Sequence, residues 1–206
     1  MRQANIAVLV SGGGTNLQAL LDAQKSGALK SGEIAVVISS NPGAYALERA
    51  KAAGVPAFAA SRKQLGSQEA FEEAIEAFLQ LYGAELIILA GFLSILSPAF
   101  TARWPRRILN VHPALIPSFC GKGYYGLKVH EAALERGVKL TGATVHFVNE
   151  IPDGGEILLQ KAVEVRKGDT PESLQRRVME QAEWILLPRA AETVSAEIAR
   201  EKERQA

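Results

Sequence analysis

The chain has 206 residues, 48% of them hydrophobic, with 23 Lys and Arg against 22 Asp and Glu for a formal net charge of +1. That length suits one domain with a sizeable core, and the near-cancelled charge argues against a broad nucleic-acid footprint while leaving room for a local anion site. Met1-Arg2-Gln3-Ala4-Asn5 runs into a short apolar strand without a signal-type stretch and no apolar run reaches membrane-spanning length, so a cytoplasmic protein without nucleic-acid or membrane partners is expected, and the single cysteine, Cys120, excludes an internal disulfide and a Cys-based zinc cluster.

Ile6 to Val10 is a continuous apolar run, as expected of a strand buried on both faces. Ser11-Gly12-Gly13-Gly14-Thr15-Asn16 follows, and then Leu17, Leu20 and Leu21 at helical spacing. Strand, glycine loop and helix in this order aim backbone N–H groups and the positive end of a helix at an anion. Leu17 stands where the last Gly of a dinucleotide fingerprint belongs, and no Lys precedes the Thr as in a nucleoside-triphosphate loop. Two readings remain: a site for a single phosphate, or a tight turn without a ligand.

Glu33 to Ser39 is a second strand, ending at the turn-forming Ser40-Asn41-Pro42-Gly43. Ala44 to Ala53 reads as a short helix stopped by Gly54, and Val55 to Phe58 as a peripheral third strand. From Gln68 to Tyr82, Phe71, Ile75, Phe78, Leu79 and Tyr82 share one helical face, which makes them core. Leu86 to Ala90 is a fourth buried strand. The next stretch, Gly91-Phe92-Leu93-Ser94-Ile95-Leu96, is too apolar for an ordinary surface loop, so it either packs inward or walls a ligand pocket. A short helix from Pro98 to Trp104 then leads to the fifth strand.

That strand, Arg107-Ile108-Leu109-Asn110-Val111-His112-Pro113, ends in two polar side chains and a proline. Alternation along a strand puts Asn110 and His112 on the same face, and Pro113 stops the ladder behind them. In open parallel sheets this carboxyl end is where ligands bind. An amide and an imidazole can both donate to an oxygen that gains negative charge, which points to acyl-type transfer; the alternative is a pair satisfied within the fold.

Ile116 to Gly126 is rich in Gly and aromatics and reads as an ordered loop, in which Cys120 has no sequence cue for a partner base. Leu127 to Arg136 is a helix stopped by Gly137. Thr141 to Val148 and Ile157 to Val165 flank Asn149-Glu150-Ile151-Pro152-Asp153-Gly154-Gly155 and suggest an antiparallel pair. Asp-Gly is a hairpin signal, so Asp153 by itself reads as a turn residue. Thr170 caps a long C-terminal helix with Pro171 at its first position, and Pro188 should interrupt it. His130 and His146, on a predicted helix and strand with no acid or Cys cluster beside them, read as structural rather than as metal ligands. The alternation of strand and helix predicts an α/β fold in a single domain, a doubly wound, mostly parallel sheet with an antiparallel C-terminal strand pair and a long C-terminal helix.

Four stretches together resemble phosphoribosylglycinamide formyltransferases, the folate-dependent enzymes that formylate glycinamide ribonucleotide in purine synthesis: Val10 to Ala19, Leu89 to Pro98, Asn110 to Pro117, and Gly142 to Val148 followed by Asp153-Gly154-Gly155. The resemblance covers nearly the whole chain and implies a Rossmann-like formyltransferase domain over residues 1–206. Residues 1–100 would form the nucleotide phosphate-binding half, and 101–206 the catalytic and folate-binding half. It implies Asn110, His112 and Asp153 as a catalytic trio. Ser11, Gly12, Gly13, Gly14, Thr15 and Asn16 would hold the substrate phosphate and Glu183 the sugar. Gln68, Leu93, Ser94, Ile95, Leu96 and Asn110 would border 10-formyltetrahydrofolate, the co-substrate, and no metal is needed.

The implied partners are small molecules, with the chain a monomer or homodimer. Two positions depart from the family pattern: Ser94 stands where an Arg is often found, and Gln68 where another Arg contacts the glutamate tail of folate. Relatives acting on initiator methionyl-tRNA usually carry a further C-terminal domain, and folate hydrolases an N-terminal regulatory one; the chain has no residues left for either. Two other readings stay open, a folate-dependent formyltransferase acting on a sugar-nucleotide amine and a non-catalytic nucleotide-binding relative.

Overall fold

The computed structural model describes residues 3–204, so the first two residues of the leading segment lie outside it. Seven strands form one sheet in the order β3-β2-β1-β4-β5-β6-β7. They are β1 (Ala4–Val10), β2 (Gly32–Ser39), β3 (Ala57–Ala59), β4 (Leu86–Leu89), β5 (Ile108–His112), β6 (Leu140–Phe147) and β7 (Ile157–Glu164). The first five are parallel, and β6 and β7 are antiparallel to their neighbours, as the change of sequence style after Pro113 predicts. The third strand lies at the sheet's edge, where its weak pattern puts it.

The helices follow from amphipathic spacing and sit on both faces. They are α1 (Thr15–Ser26), α2 (Tyr45–Ala52), α3 (Arg62–Leu65), α4 (Gln68–Leu81), α5 (Pro98–Ala102), α6 (Leu127–Arg136), α7 (Pro171–Val178) and α8 (Trp184–Glu203). Along β1, Ile6, Val8 and Val10 join one core with Leu17, Leu20, Leu187 and Val194, while Ala7 and Leu9 join the other with Phe71, Ile75 and Phe100. Two-sided burial is the reason this strand is apolar without alternation. No helix among the described residues is long and apolar enough to cross a membrane.

The chain runs outward through β1, β2 and β3 and returns to the other side of β1 at β4, so the strand order reverses between β1 and β4. At such a reversal the loops after the two strands diverge and leave a crevice. Here those loops are the glycine stretch and the apolar stretch after Leu89.

One expectation fails. Pro188 lies inside α8 and does not interrupt it; the irregularity comes one turn earlier, where Met179–Glu183 form a π turn joining α7 to α8. A wide turn places the extra backbone carbonyls just before the proline, so the missing N–H and the ring are absorbed near the helix start. The N-terminal end behaves as predicted, with the Thr170 side chain accepting from the Ser173 N–H and Pro171 at the first position.

The return from β6 to β7 depends on a glycine. A Cβ at Gly155 would lie 1.7 Å from the carbonyl oxygen of Phe147, beside the bond that the Phe147 N–H donates to Glu156 at 2.8 Å. Gly155→Ala should therefore destabilise the fold by about 3 kcal/mol, the upper range for overpacking. A lowered denaturant midpoint at constant m is the expected measurement.

Candidate active site

Antiparallel pairing sets Asn110 of β5 directly opposite His146 of β6. The Nδ1 of His146 lies 2.9 Å from the Phe147 carbonyl, which can only accept, so that nitrogen carries the proton and Nε2 of the neutral ring is an acceptor. The Asn110 Nδ2 group, 3.2 Å away, donates to it. The amide of Asn110 is thereby oriented with its nitrogen toward His146 and toward the Asp153 Oδ1, at 3.4 Å.

His112 is held in the same way. Its Nε2 donates to the Phe119 carbonyl at 2.8 Å, leaving Nδ1 facing the Asp153 Oδ2 at 3.6 Å. That spacing is too long for a hydrogen bond but close enough for charge attraction. Asp153 reaches this point from a loop with φ of 55°, a left-handed conformation that Asp tolerates better than most residues. Its Oδ2 accepts the Gly121 N–H at 2.8 Å, so the loop after β5 grips both the imidazole and the acid.

Burial is the largest effect on His112 and lowers its pKa, outweighing the opposite pull of Asp153. Burial pushes Asp153 upward, yet the nearby His146, the charge of His112 and the Gly121 N–H together bring its carboxyl below the usual range. At neutral pH the resting site thus holds an ionised carboxylate between two buried imidazoles. Cys120, in the same loop, donates its S–H to the Pro117 carbonyl at 3.3 Å. Burial and the Asp153 charge raise its pKa, the opposite of what an activated thiolate requires.

On one side of this group is a cavity of about 130 Å³, lined by Leu89, Phe92, Ser94, Ile95, Leu96 and Asn110 and, opposite them, by His146 and Pro152. The apolar stretch takes both roles open to it. Leu96 is buried and Phe92 stacks on Phe71, while Ile95 is 69% exposed and faces the opening. Leu93 is outside the cavity lining. Gln68 donates to Glu72 at 2.7 Å and to the Ile95 carbonyl at 3.1 Å. Its side chain holds the wall in place.

Against the wall of this cavity is the β1–α1 loop. The Ser11 hydroxyl is shared with Ser40 at 2.6 Å and accepts the Leu93 N–H at 2.8 Å, tying the glycine loop to the wall. Gly14 precedes α1 with φ of 74° and no side chain caps the helix, so the first-turn N–H groups from Thr15 and Asn16 onward have no capping side chain. Asn16 donates to Glu183 at 2.7 Å. Glu183 sits on the π turn, fully buried, and burial raises its pKa to about 7 against the pull of that hydrogen bond.

Comparison with known proteins gives the family. A family model described as formyl transferase covers residues 4–190, and phosphoribosylglycinamide formyltransferase of Haemophilus influenzae is 44% identical over 89% of this chain and 83% of its own length. The chain belongs to the phosphoribosylglycinamide formyltransferase family. The crystal structure of glycinamide ribonucleotide transformylase 1 from Symbiobacterium toebii superposes with a TM-score of 0.88 at 43% identity, covering 95% of this chain and 89% of that one. The chain is also 43% identical, over 94% of its length, to the trifunctional purine biosynthetic protein adenosine-3 of Gallus gallus, of which it spans 19%.

Within this phosphoribosylglycinamide formyltransferase fold, Asn110, His112 and Asp153 come together as expected, and Glu183 meets Asn16. The residue that sequence reasoning missed is His146, read as structural and found touching both Asn110 and Asp153. Its signal was its place in a strand two residues after the buried Thr144, but only the β5–β6 register turns that into a contact. His130 is buried with neither ring nitrogen hydrogen-bonded among the described residues, and burial, then the charge of His112, lower its pKa to about 4. No group of three or more His, Cys, Asp or Glu among the described residues could hold a metal ion.

Glu183 makes a stability prediction. Its folded pKa of about 7 lies above the 4.5 of a free Glu, so the folded state binds the proton more tightly, and stability should fall as pH rises from 4.5 to 7 and then level off. Glu183→Gln should flatten that dependence and be the more stable protein at pH 8, by up to roughly 3 kcal/mol. Urea unfolding of both proteins at pH 5 and pH 8 measures it.

Proposed function

We propose that the chain transfers the formyl group of 10-formyltetrahydrofolate to the glycyl amine of glycinamide ribonucleotide, giving formylglycinamide ribonucleotide and tetrahydrofolate in purine biosynthesis. The observation that carries this reading is the position of the Asn110, His112 and Asp153 group. It lines an apolar-walled cavity suited to a pterin, and the wall of that cavity is tied through Leu93 and Ser11 to an uncapped glycine loop suited to a phosphate.

In this reading the amine nitrogen attacks the formyl carbon. A C–N bond forms, and the carbonyl electrons move to oxygen. Asn110 and His112 donate to that oxyanion, with His112 exchanging its bond to Phe119 for one to the substrate. The amine's proton passes to the His112–Asp153 pair, directly or through water, and from there to the folate nitrogen as the C–N bond to it breaks. Asp153 stabilises the imidazolium across 3.6 Å. His146 holds one N–H of the Asn110 amide, so the nitrogen keeps its place while the other N–H turns from Asp153 to the oxyanion.

The remaining roles divide along the chain. In residues 1–100, Ser11 to Asn16 form the phosphate site, with Ser11 acting through the loop. Glu183, from the second half, receives the sugar. Ser94 to Leu96 border the folate, with Leu93 left outside the cavity, and Gln68 supports them. Ser94 and Gln68 lack the charge of an Arg, and Arg62 and Lys63, which line the same opening, supply cations for the folate's anionic end. Small-molecule substrates of this kind fit a cytoplasmic enzyme, monomeric or homodimeric.

Loss of formyl-folate in the presence of glycinamide ribonucleotide tests the reaction; transfer to a different amine and not to this one would sink it. Asp153→Asn tests the site, because Asn suits the left-handed backbone equally well and removes only the charge. The variant should keep its fold and ribonucleotide KM and lose on the order of a hundredfold in kcat. A near-normal kcat would return Asp153 to the status of a turn residue. In the wild type, the resting His112 must be neutral to receive the proton, and its pKa is lowered. The acid limb of the kcat/KM profile should therefore lie below the ordinary imidazole value of about 6.5, and activity should fall as pH drops through it.

A further inference from the structure

The glycine loop is held from behind by α2, in a way that neither its glycines nor the helix after it accounts for. The Ala46 N–H donates to the Gly12 carbonyl at 3.1 Å, and Arg49 Nε donates to the Gly13 carbonyl at 2.8 Å. In a trans planar peptide the C=O and the following N–H point in opposite directions. Drawing those two carbonyls toward α2 therefore turns the N–H groups of Gly13 and Gly14 to the other side. Neither N–H has a partner among the described residues. Successive N–H groups pointing one way form an anion-binding concavity.

The front and back of the loop differ as such a cradle requires. A Cβ added to Gly12 or Gly13 meets nothing within 4 Å, whereas one at Gly14 would lie 2.6 Å from the Ala46 Cβ and 3.3 Å from the Arg49 Cδ. Asn16, two positions further on, is buried with its Oδ1 unpartnered, an acceptor that suits a hydroxyl donor beside the anion and not the anion itself. Arg49 is itself braced. Its Nη1 donates to Gln18 on α1 at 3.0 Å, Gln18 donates to Asp22, and the guanidinium lies 5.1 Å above the Tyr45 ring.

We infer that Arg49 is the positioning residue for the substrate phosphate: its Nε–H, through the Gly13 carbonyl, sets the peptide whose N–H groups bind the anion. This rests on the phosphate-site reading of the loop above. Arg49 touches no reacting atom, so it acts on binding and leaves the chemical step alone.

The test uses two replacements. In Arg49→Gln the amide nitrogen takes the place of Nε and keeps a donor there without the charge, while Arg49→Met keeps the stem and loses the donor. Titration calorimetry with inorganic phosphate, alongside the KM of each substrate, reads the outcome. Arg49→Met should lose about tenfold in phosphate affinity and raise the ribonucleotide KM by the same factor, the scale of one hydrogen bond. The formyl-donor KM and kcat should stay within about twofold, and Arg49→Gln within about threefold of wild type for phosphate, since screening weakens an exposed charge. Should Arg49→Met not fold, as judged by thermal unfolding, Arg49→Ala takes its place as the donor-free variant.

Equal losses in the Gln and donor-free variants would mean that charge and not the donated bond matters, and would overturn the assignment. So would a donor-free variant with wild-type phosphate affinity. Phosphate binding that depends on Arg49 in a protein that does not formylate glycinamide ribonucleotide would leave the assignment standing and overturn the proposed reaction instead. A wild type that binds no phosphate would overturn both.

Discussion

A half-buried carboxylate between two imidazoles and an amide is the interaction around which the site is arranged, and it exists only because of what the backbone does on either side. Asp153 reaches the cluster from a left-handed turn, with Gly154 and Gly155 closing the chain back onto β6, where no side chain fits. Gly121 and Phe119 approach from the opposite loop with one N–H and one carbonyl. Burial opposes the charge on Asp153 and on His112 alike. The carboxylate stays ionised because several donors and positive ends converge on it, while the imidazole, with one carbonyl and one distant acid, does not keep its proton.

The reversal of strand order between β1 and β4 brings the cavity wall and the glycine loop to the same end of the sheet as this carboxylate. It opens one crevice at the carboxyl ends of the strands, and the loops after β1, β4 and β5 all empty into it. Ser11 joins the first two loops by accepting the Leu93 N–H, which ties the wall of the cavity to the glycine loop. Glu72 anchors the other end of the wall, taking the Ser97 N–H at 2.6 Å and its hydroxyl at 2.6 Å. Rigid support of this kind is what a site that works by preorganised donors requires.

Much was legible in the sequence because its physical causes are local. Apolar runs marked the central strands, since two-sided burial removes alternation. Helical spacing marked α1, α4 and α6, and Thr170-Pro171 marked the start of α7. Asn110 and His112, two apart before a proline, were readable as a polar pair at a strand end, because strand alternation and the proline's missing N–H act within a few residues. The glycine loop was readable as a strand–loop–helix turn for the same reason.

Contacts between distant segments were out of reach. His146 looked like one more strand residue until antiparallel pairing set it opposite Asn110, and register is a property of two strands. Asp153 read as a turn former, which it is; that the same turn delivers its carboxylate to His112 depends on the path of a loop 41 residues away in sequence from β5, as the numbering shows. Arg49 was one of many charges on a short helix, and its bond to Gly13 spans 36 positions. Pro188 was misjudged because the π turn that absorbs it follows from how the last helix packs and carries no residue signature. By itself the sequence determined the elements and the chemical types at their ends, because propensity and periodicity are local; the tertiary structure alone decided which of those ends meet, because burial and strand register act between segments far apart in the chain.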